Sequence, residues 1–181
     1  MRFEPTALGG AVLVLPESHA DDRGAFARTF CEDEFGAHGL PTRFPQCNLS
    51  SNTRAGTLRG MHLNLTGHQE SKLVRCVRGA IFDVIVDVRT DSPSYLQWVG
   101  VELSVDNGRA LFVPEGFAHG FLTLADESDV YYHMGRAFEP GVATGFRWDD
   151  PAFGIEWPGA PAVINERDAT YPDYDPASLV P

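Results

Sequence analysis

Cysteine is scarce in this 181-residue chain: three residues, Cys31, Cys47 and Cys76, an odd number at wide spacings. They do not suggest a disulfide framework, and the absence of any Cys-x-x-Cys gives no zinc signature. A reducing compartment, the cytoplasm, is the simple expectation. Long hydrophobic runs are also missing. A membrane-spanning helix requires ~20 apolar residues, and the run over residues 11–15 is far shorter. The N-terminus shows no basic segment followed by an apolar one, so no secretion leader is expected. Basic residues are few, 14 Lys and Arg against 25 Asp and Glu, for a formal net charge of -11. This balance argues against a nucleic-acid partner. An anionic ligand would have to be met by arginines and lysines gathered in a cleft. Finally, no strand–helix–strand rhythm occurs, so a parallel doubly wound sheet is not expected.

What remains is a globular composition, 43% hydrophobic and 11% aromatic, long enough for one full core. One domain over residues 1–181 accounts for the chain: an N-terminal arm over about 1–20, a core over 21–158 and a tail over 159–181. Short apolar or alternating segments recur at residues 11–15, 25–30, 46–51, 58–63, 72–77, 81–88, 95–103, 109–113, 121–124, 130–134 and 145–148. Turn residues separate them, and Asn107-Gly108 reads as a hairpin signal. Many short strands at this spacing predict an all-β sandwich, barrel or jelly roll. The best helix candidate, Glu32-Asp33-Glu34-Phe35-Gly36, is one turn long, and Asn165-Glu166-Arg167-Asp168 starts another short turn.

Two stretches carry histidines at strand turns: Arg59-Gly60-Met61-His62-Leu63-Asn64 and Pro114-Glu115-Gly116-Phe117-Ala118-His119-Gly120-Phe121. With Gly56, Lys72, Gly79 and Gly108 around them, they resemble the two-part motif of the cupin superfamily, which implies a double-stranded β-helix. The likeness breaks at the metal ligands. Asn64 stands for the second histidine, Lys72 for the glutamate, and Thr123 where that motif has its asparagine. An ammonium opposes a divalent ion, so no metal is expected. In a dry cavity the same ammonium would stabilise a developing oxyanion. On spacing alone, His62 and His119 read equally well as buried, hydrogen-bonded core histidines.

Further motifs follow in order: Asp22-Arg23-Gly24, Phe44-Pro45-Gln46-Cys47-Asn48, Leu58-Arg59-Gly60-Met61-His62, Lys72-Leu73-Val74-Arg75, Gly79-Ala80-Ile81-Phe82-Asp83-Val84, Trp148-Asp149-Asp150-Pro151 and Gly154-Ile155-Glu156-Trp157-Pro158. Together they closely resemble the dTDP-4-dehydrorhamnose 3,5-epimerase family over roughly residues 10–172. The resemblance implies a cofactor-free isomerase, in deoxysugar biosynthesis for polysaccharide or natural product. Its substrate would be a nucleotide-diphosphate-linked 4-keto-6-deoxyhexose. A base takes a proton beside the keto group and an acid returns one from the opposite face, at C3, C5 or both. By the same resemblance His62 is the base, Asp168 its paired carboxylate, Tyr132 the acid (with Tyr131 its rival, one register step away) and Lys72 the enolate stabiliser. Arg23 and Arg59 would grip the diphosphate. Gln46, Asn48 and His119 would contact substrate. Asp83 shares a strand face with Ile81 and Ile85 and could balance Lys72. A homodimer with N-terminal strands packed across its interface is implied as well.

The departures from the family gather at the nucleotide end. Arg28 stands where a glutamate accepts from thymine, and an arginine only donates. Phe138 replaces a stacking tyrosine, Ala143 a carboxylate and Arg167 a lysine. These substitutions point to the same chemistry on another carrier such as a CDP sugar. A metal-dependent cupin, a 3,4-ketoisomerase and a non-catalytic sugar-nucleotide module are the remaining alternatives. Lys72 and Asn64 argue against the first, Tyr132 and Asp168 against the second, and retention of His62 and Tyr132 against the third.

Overall fold

The computed structural model describes residues 1–180 and is built almost wholly of antiparallel β-strands; Pro181 lies outside it. The strands are β1 (Arg2–Pro5), β2 (Val12–Leu15), β3 (Ser18–Asp21), β4 (Gly24–Ala27), β5 (Gln46–Asn52), β6 (Leu58–Asn64), β7 (Lys72–Arg78), β8 (Ala80–Asp87), β9 (Trp98–Ser104), β10 (Ala110–Val113), β11 (Phe117–Thr123), β12 (Ser128–Met134) and β13 (Ala143–Gly145). Two short helices, α1 (Glu32–Ala37) and α2 (Glu166–Ala169), and a 3₁₀ turn over Pro176–Leu179 complete the described chain. No helix among the described residues is long and apolar enough to cross a membrane.

A six-stranded sheet, β1-β2-β10-β7-β12-β5, faces a five-stranded one, β13-β6-β11-β8-β9. Successive strands mostly change sheet, as in a jelly roll, one of the all-β architectures the alternation and turn signals allow and the one the cupin resemblance implies. Asn107-Gly108 therefore does not make a hairpin. It joins β9 of one sheet to β10 of the other, and Asn107 caps the amides of Ser104 and Arg109 instead. Local turn chemistry fixed the bend there; strand partners are chosen by the nonlocal burial of each face.

Period-two alternation sorts side chains into three layers. Ile81 and Ile85 of β8 point inward with Phe121, Val74, Leu111 and Val130, filling the space between the sheets. Val84 and Val86 point outward and are covered by Phe146, Phe153, Trp157 and Tyr174 from the C-terminal segment. On the far side Leu73, Ala110 and Phe112 pack beneath Phe35 of α1, with Phe3, Phe30 and Phe44 around it. β1 and β2 lie within the six-stranded sheet, while β3 and β4 form a separate two-stranded hairpin that stands off both sheets. Phe26 on it is 76% exposed.

One buried charge closes β8. Asp87, fully buried, accepts from Arg89 Nε (2.8 Å) and Nη2 (2.7 Å), Ser92 Oγ (2.5 Å) and Ser94 Oγ (2.7 Å). Burial alone would raise its carboxyl, but the bonds from Arg89, Ser92 and Ser94 outweigh it and hold the pKa at about 2.

Candidate active site

The open end of the space between the sheets forms a cavity of about 250 Å³ lined by Asn48, Leu49, Ser50, Arg59, His62, Lys72, His119, Phe121, Tyr132 and Met134. A drug-sized ligand occupies ~300–1,000 Å³, so this cavity suits a sugar ring, with the rest of an extended ligand along its mouth. Its two walls come from different sheets: Arg59, His62 and His119 from β6 and β11, Asn48, Lys72 and Tyr132 from β5, β7 and β12.

Arg59 and His62 are three residues apart, and strict alternation would send them to opposite faces. A bulge prevents that. Between β6 and β11 the register runs His62↔His119 and then Arg59↔Phe121, three residues on one strand against two on the other. The bulge depends on bare backbone. A Cβ at Gly60 would stand 2.5 Å from Gly120 Cα, and one at Gly120 would stand 2.9 Å from Arg59 O. The glycines of Arg59-Gly60-Met61-His62 and His119-Gly120-Phe121 thus let the arginine and the histidine share one cavity.

His62 bonds through Nε2 to Asp168 Oδ1 at 2.9 Å, which leaves Nδ1 as its free nitrogen. Asp168 is almost fully buried, and its second oxygen accepts from the Gly60 amide at 3.1 Å. Asn165 fixes the start of α2 by accepting from Asp168 N at 2.7 Å, so the short helix aims this carboxylate. Burial opposes ionisation of Asp168, yet the bonds from His62 and the Gly60 amide prevail and keep its carboxyl below the usual range. Tyr171 meets the His62 ring edge-on at 6.2 Å and fits where Gly145 lacks a side chain.

Tyr132 lines the cavity; Tyr131 faces the other side of the sheet, edge-on to His133 at 5.1 Å. Burial, and then the Asp83 charge, push the Tyr132 phenol far upward against a smaller opposite pull from Arg59. Lys72, only 9% exposed in its side chain, is paired with Glu70 at 2.7 Å. This corrects the expected pairing of Lys72 with Asp83. Asp83 does point inward, but it is fully buried, bonded to His119 Nε2 at 2.8 Å and absent from the cavity wall, so it is not placed to contact substrate. Alternation assigns a face, not a neighbour. Glu70 sits two residues before Lys72, a spacing that puts both on one side of an extended chain.

Asn48 joins the cavity, whereas Gln46 is tied to its surroundings, donating to Asn48 Oδ1 at 3.0 Å and accepting from Phe138 N at 2.8 Å. Phe138 itself is 72% exposed beside that edge of the sheet. Arg167 donates to Ala143 O at 3.2 Å and lines an adjoining hollow that shares His62 and Lys72 with the cavity. Arg23 and Arg28 are not brought to the cavity within the chain. Arg23 sits at the turn of the exposed hairpin, paired with Asp21 at 2.5 Å. Arg28 follows that hairpin and pairs with Glu34 at 2.9 Å in a separate hollow with Met1, Glu17, His19 and Phe26.

A cupin architecture raises the question of a metal. The donors here do not make a set for one: each histidine spends a nitrogen on a carboxylate, and an ammonium stands among them. Among the described residues no three His, Cys, Asp or Glu converge on a common point.

Comparison with known proteins adds four findings. A family model described as dTDP-4-dehydrorhamnose 3,5-epimerase matches residues 5–175. The dTDP-4-dehydrorhamnose 3,5-epimerase of Methanothermobacter thermautotrophicus is 46% identical over 173 residues, covering 94% of this chain and 92% of the relative. A dTDP-4-dehydrorhamnose 3-epimerase of Streptomyces niveus is 38% identical over 169 residues, covering 93% and 81%. In solved structures, an epimerase from Mycobacterium tuberculosis superimposes with a TM-score of 0.94 at 34% identity, covering 100% of this chain and 94% of that one.

Proposed function

Since the chain belongs to the dTDP-4-dehydrorhamnose 3,5-epimerase family and is an epimerase, we propose that it inverts C3, C5 or both in a dTDP-linked 4-keto-6-deoxyhexose, without a cofactor. The observation that carries this reading is a base and an acid on opposite walls of one sugar-sized cavity. His62 stands on one sheet and Tyr132 on the other. His62 Nδ1 takes the proton from the ring carbon beside the keto group, and the Asp168 carboxylate stabilises the imidazolium that results. Charge moves onto the keto oxygen, where the Lys72 ammonium, itself almost buried, meets it. Tyr132 then gives its phenolic proton to the other face of the carbon. Arg59, held at Nε by Asn52 Oδ1 at 2.8 Å, keeps its terminal nitrogens for the diphosphate.

The remaining site residues fit a shared site. The hairpin carrying Arg23 finds no cover in its own chain, and Phe26 stands exposed on it. A homodimer that packs this arm against a partner covers that apolar surface and supplies arginines at a cavity mouth. Light scattering of the purified protein checks the assembly; a monomer at micromolar concentration refutes it. All three cysteines are free thiols, which supports a reducing, cytoplasmic setting.

A second reading concerns the carrier. Arg28 stands where the family has a glutamate; it cannot accept from the thymine N3–H, and cytosine, which presents N3 and O2 as acceptors, suits it better. Titration of the His62→Asn protein with dTDP, CDP, UDP and GDP separates the two; the tightest binder identifies the base. The chemistry is tested by incubation with the matching 4-keto-6-deoxyhexose in deuterated water. Label at C3 or C5 that disappears in His62→Asn is the expected result. Label that persists in that variant removes His62 from its role, and no label in the wild type with any carrier overturns the epimerase mechanism.

A further inference from the structure

Asp83 is unexplained by the chemistry above. It is a fully buried carboxylate, outside the cavity wall, with one oxygen bonded to His119 Nε2 and the other, Oδ2, without any hydrogen-bond partner. A buried charged oxygen left unpaired costs free energy, so its retention calls for a compensating use. We infer that Asp83 is a positioning residue for proton return, fixing the tautomer that His119 presents to the cavity and keeping the proton of Tyr132 in place. This rests on the reading of Tyr132 as the acid.

The geometry supports both parts. Asp83 Oδ1 accepts from Nε2, so the His119 proton is held on the Asp83 side and Nδ1 is the nitrogen left for the cavity that His119 lines. The edge of the same ring meets the Tyr132 ring at 6.1 Å. Asp83, His119 and Tyr132 therefore stack inward from β8 through β11 to β12. The ionisable groups facing Tyr132 are Asp83, His119, Arg59, His62 and Lys72, with the Cys76 thiol near Asp83. Of these, only Asp83 is a carboxylate held behind the phenol without a cation of its own. Burial and that charge together disfavour the phenolate, as the upward displacement of Tyr132 reflects. In turnover the Tyr132 O–H bond breaks as the new C–H bond forms, leaving a phenolate beside a carboxylate. That phenolate is strongly basic and takes a proton back from solvent at the mouth, while the His62 imidazolium releases to solvent the proton it took from the sugar, before the next sugar enters. The acid is thus loaded at the start of each cycle.

The test compares wild type with Asp83→Asn, each alongside its Tyr132→Phe partner, by ultraviolet difference titration of tyrosinate. The wild-type difference is expected to show no Tyr132 ionisation up to about pH 11, above the ordinary tyrosine value. In Asp83→Asn the phenol is expected to ionise at least one pH unit lower, with exchanged but uninverted sugar increasing relative to inverted product as pH rises. Identical titrations and an unchanged partition overturn the inference while leaving the epimerase reading intact. Should Asp83→Asn fail to fold, nitrogen NMR of the wild-type protein decides, with the His119 signals assigned by their loss in His119→Gln. A ring protonated at Nε2 is expected; one protonated at Nδ1 alone overturns the proposal. Absence of exchange in the wild type would instead refute the function on which it rests.

Discussion

Replacing Asp168 by asparagine tests the dyad with minimal change of shape. The carboxylate accepts at both oxygens, from His62 Nε2 at 2.9 Å and from the Gly60 amide at 3.1 Å. An amide head offers one acceptor and one donor. With its oxygen toward His62, its NH₂ confronts the Gly60 N–H. With its oxygen toward Gly60, its NH₂ demands a lone pair on Nε2 and drives the ring proton to Nδ1, capping the base. The Asp168 side chain is 1% exposed, so water cannot relieve either conflict. A hydrogen bond to a charged group is worth ~1.5–3 kcal/mol. At ~1.4 kcal/mol per tenfold, its loss alone slows proton abstraction roughly 10- to 150-fold. The wrong tautomer adds to this; the equivalent exchange in Ser–His–Asp triads lowers kcat about 10⁴-fold. The expected fall in deuterium wash-in at C3 or C5 therefore lies between about 10² and 10⁴, with folding retained by circular dichroism. Exchange within about threefold of wild type would refute the assignment of Asp168 as the partner that orients His62.

Other outcomes follow from the same structure. Tyr132→Phe should still exchange solvent deuterium into substrate yet yield little inverted product, because deprotonation needs only His62; full inversion would remove Tyr132 as the acid. Asp87 is depressed to about 2 when folded, so its stabilisation is present above pH ~4 and is lost as pH falls toward 2, amounting to roughly 2 kcal/mol. Urea midpoints of wild type and Asp87→Asn should accordingly differ at pH 7 and converge near pH 2, and a constant difference contradicts this. Gly120→Ala, whose Cβ would stand 2.7 Å from Met61 Sδ and 2.9 Å from Arg59 O, should cost about 1–3 kcal/mol by overpacking and lower activity by pushing Arg59 or His62 aside; unchanged melting and turnover would show that the bulge tolerates a methyl group.

β12 was legible because it buries one face more than the other, and β7 and β8 because burial on both faces writes apolar runs into them. β1 and β3 were not. Ser18-His19-Ala20-Asp21 is exposed at every position, so no burial imprints a period on it. Within the site, the residue types at His62, Lys72 and Tyr132 were readable, and the resemblance gave Asp168 as the partner of His62; the partners of Lys72 and Asp83 were not readable. Asp83 pairs with His119 across β8 and β11, a partner set by register between strands far apart in sequence, while Lys72 takes Glu70, only two residues away. Likewise the bulge that turns Arg59 and His62 to one side lies in the pairing of β6 with β11, and only the paired glycines at 60 and 120 hinted at it.

The dyad joins residues 106 positions apart, and its carboxylate rides on a four-residue helix beyond the last strand. So short a helix does not persist by itself; it exists where it docks. Competence to abstract a proton is then coupled to the seating of the final segment rather than to closure of the barrel. On heating, turnover should fail at the temperature where that segment lifts, ahead of the loss of sheet signal. A chain with its strands assembled and its tail still free is expected to lack the carboxylate that orients His62, so proton abstraction waits on the seating of that segment.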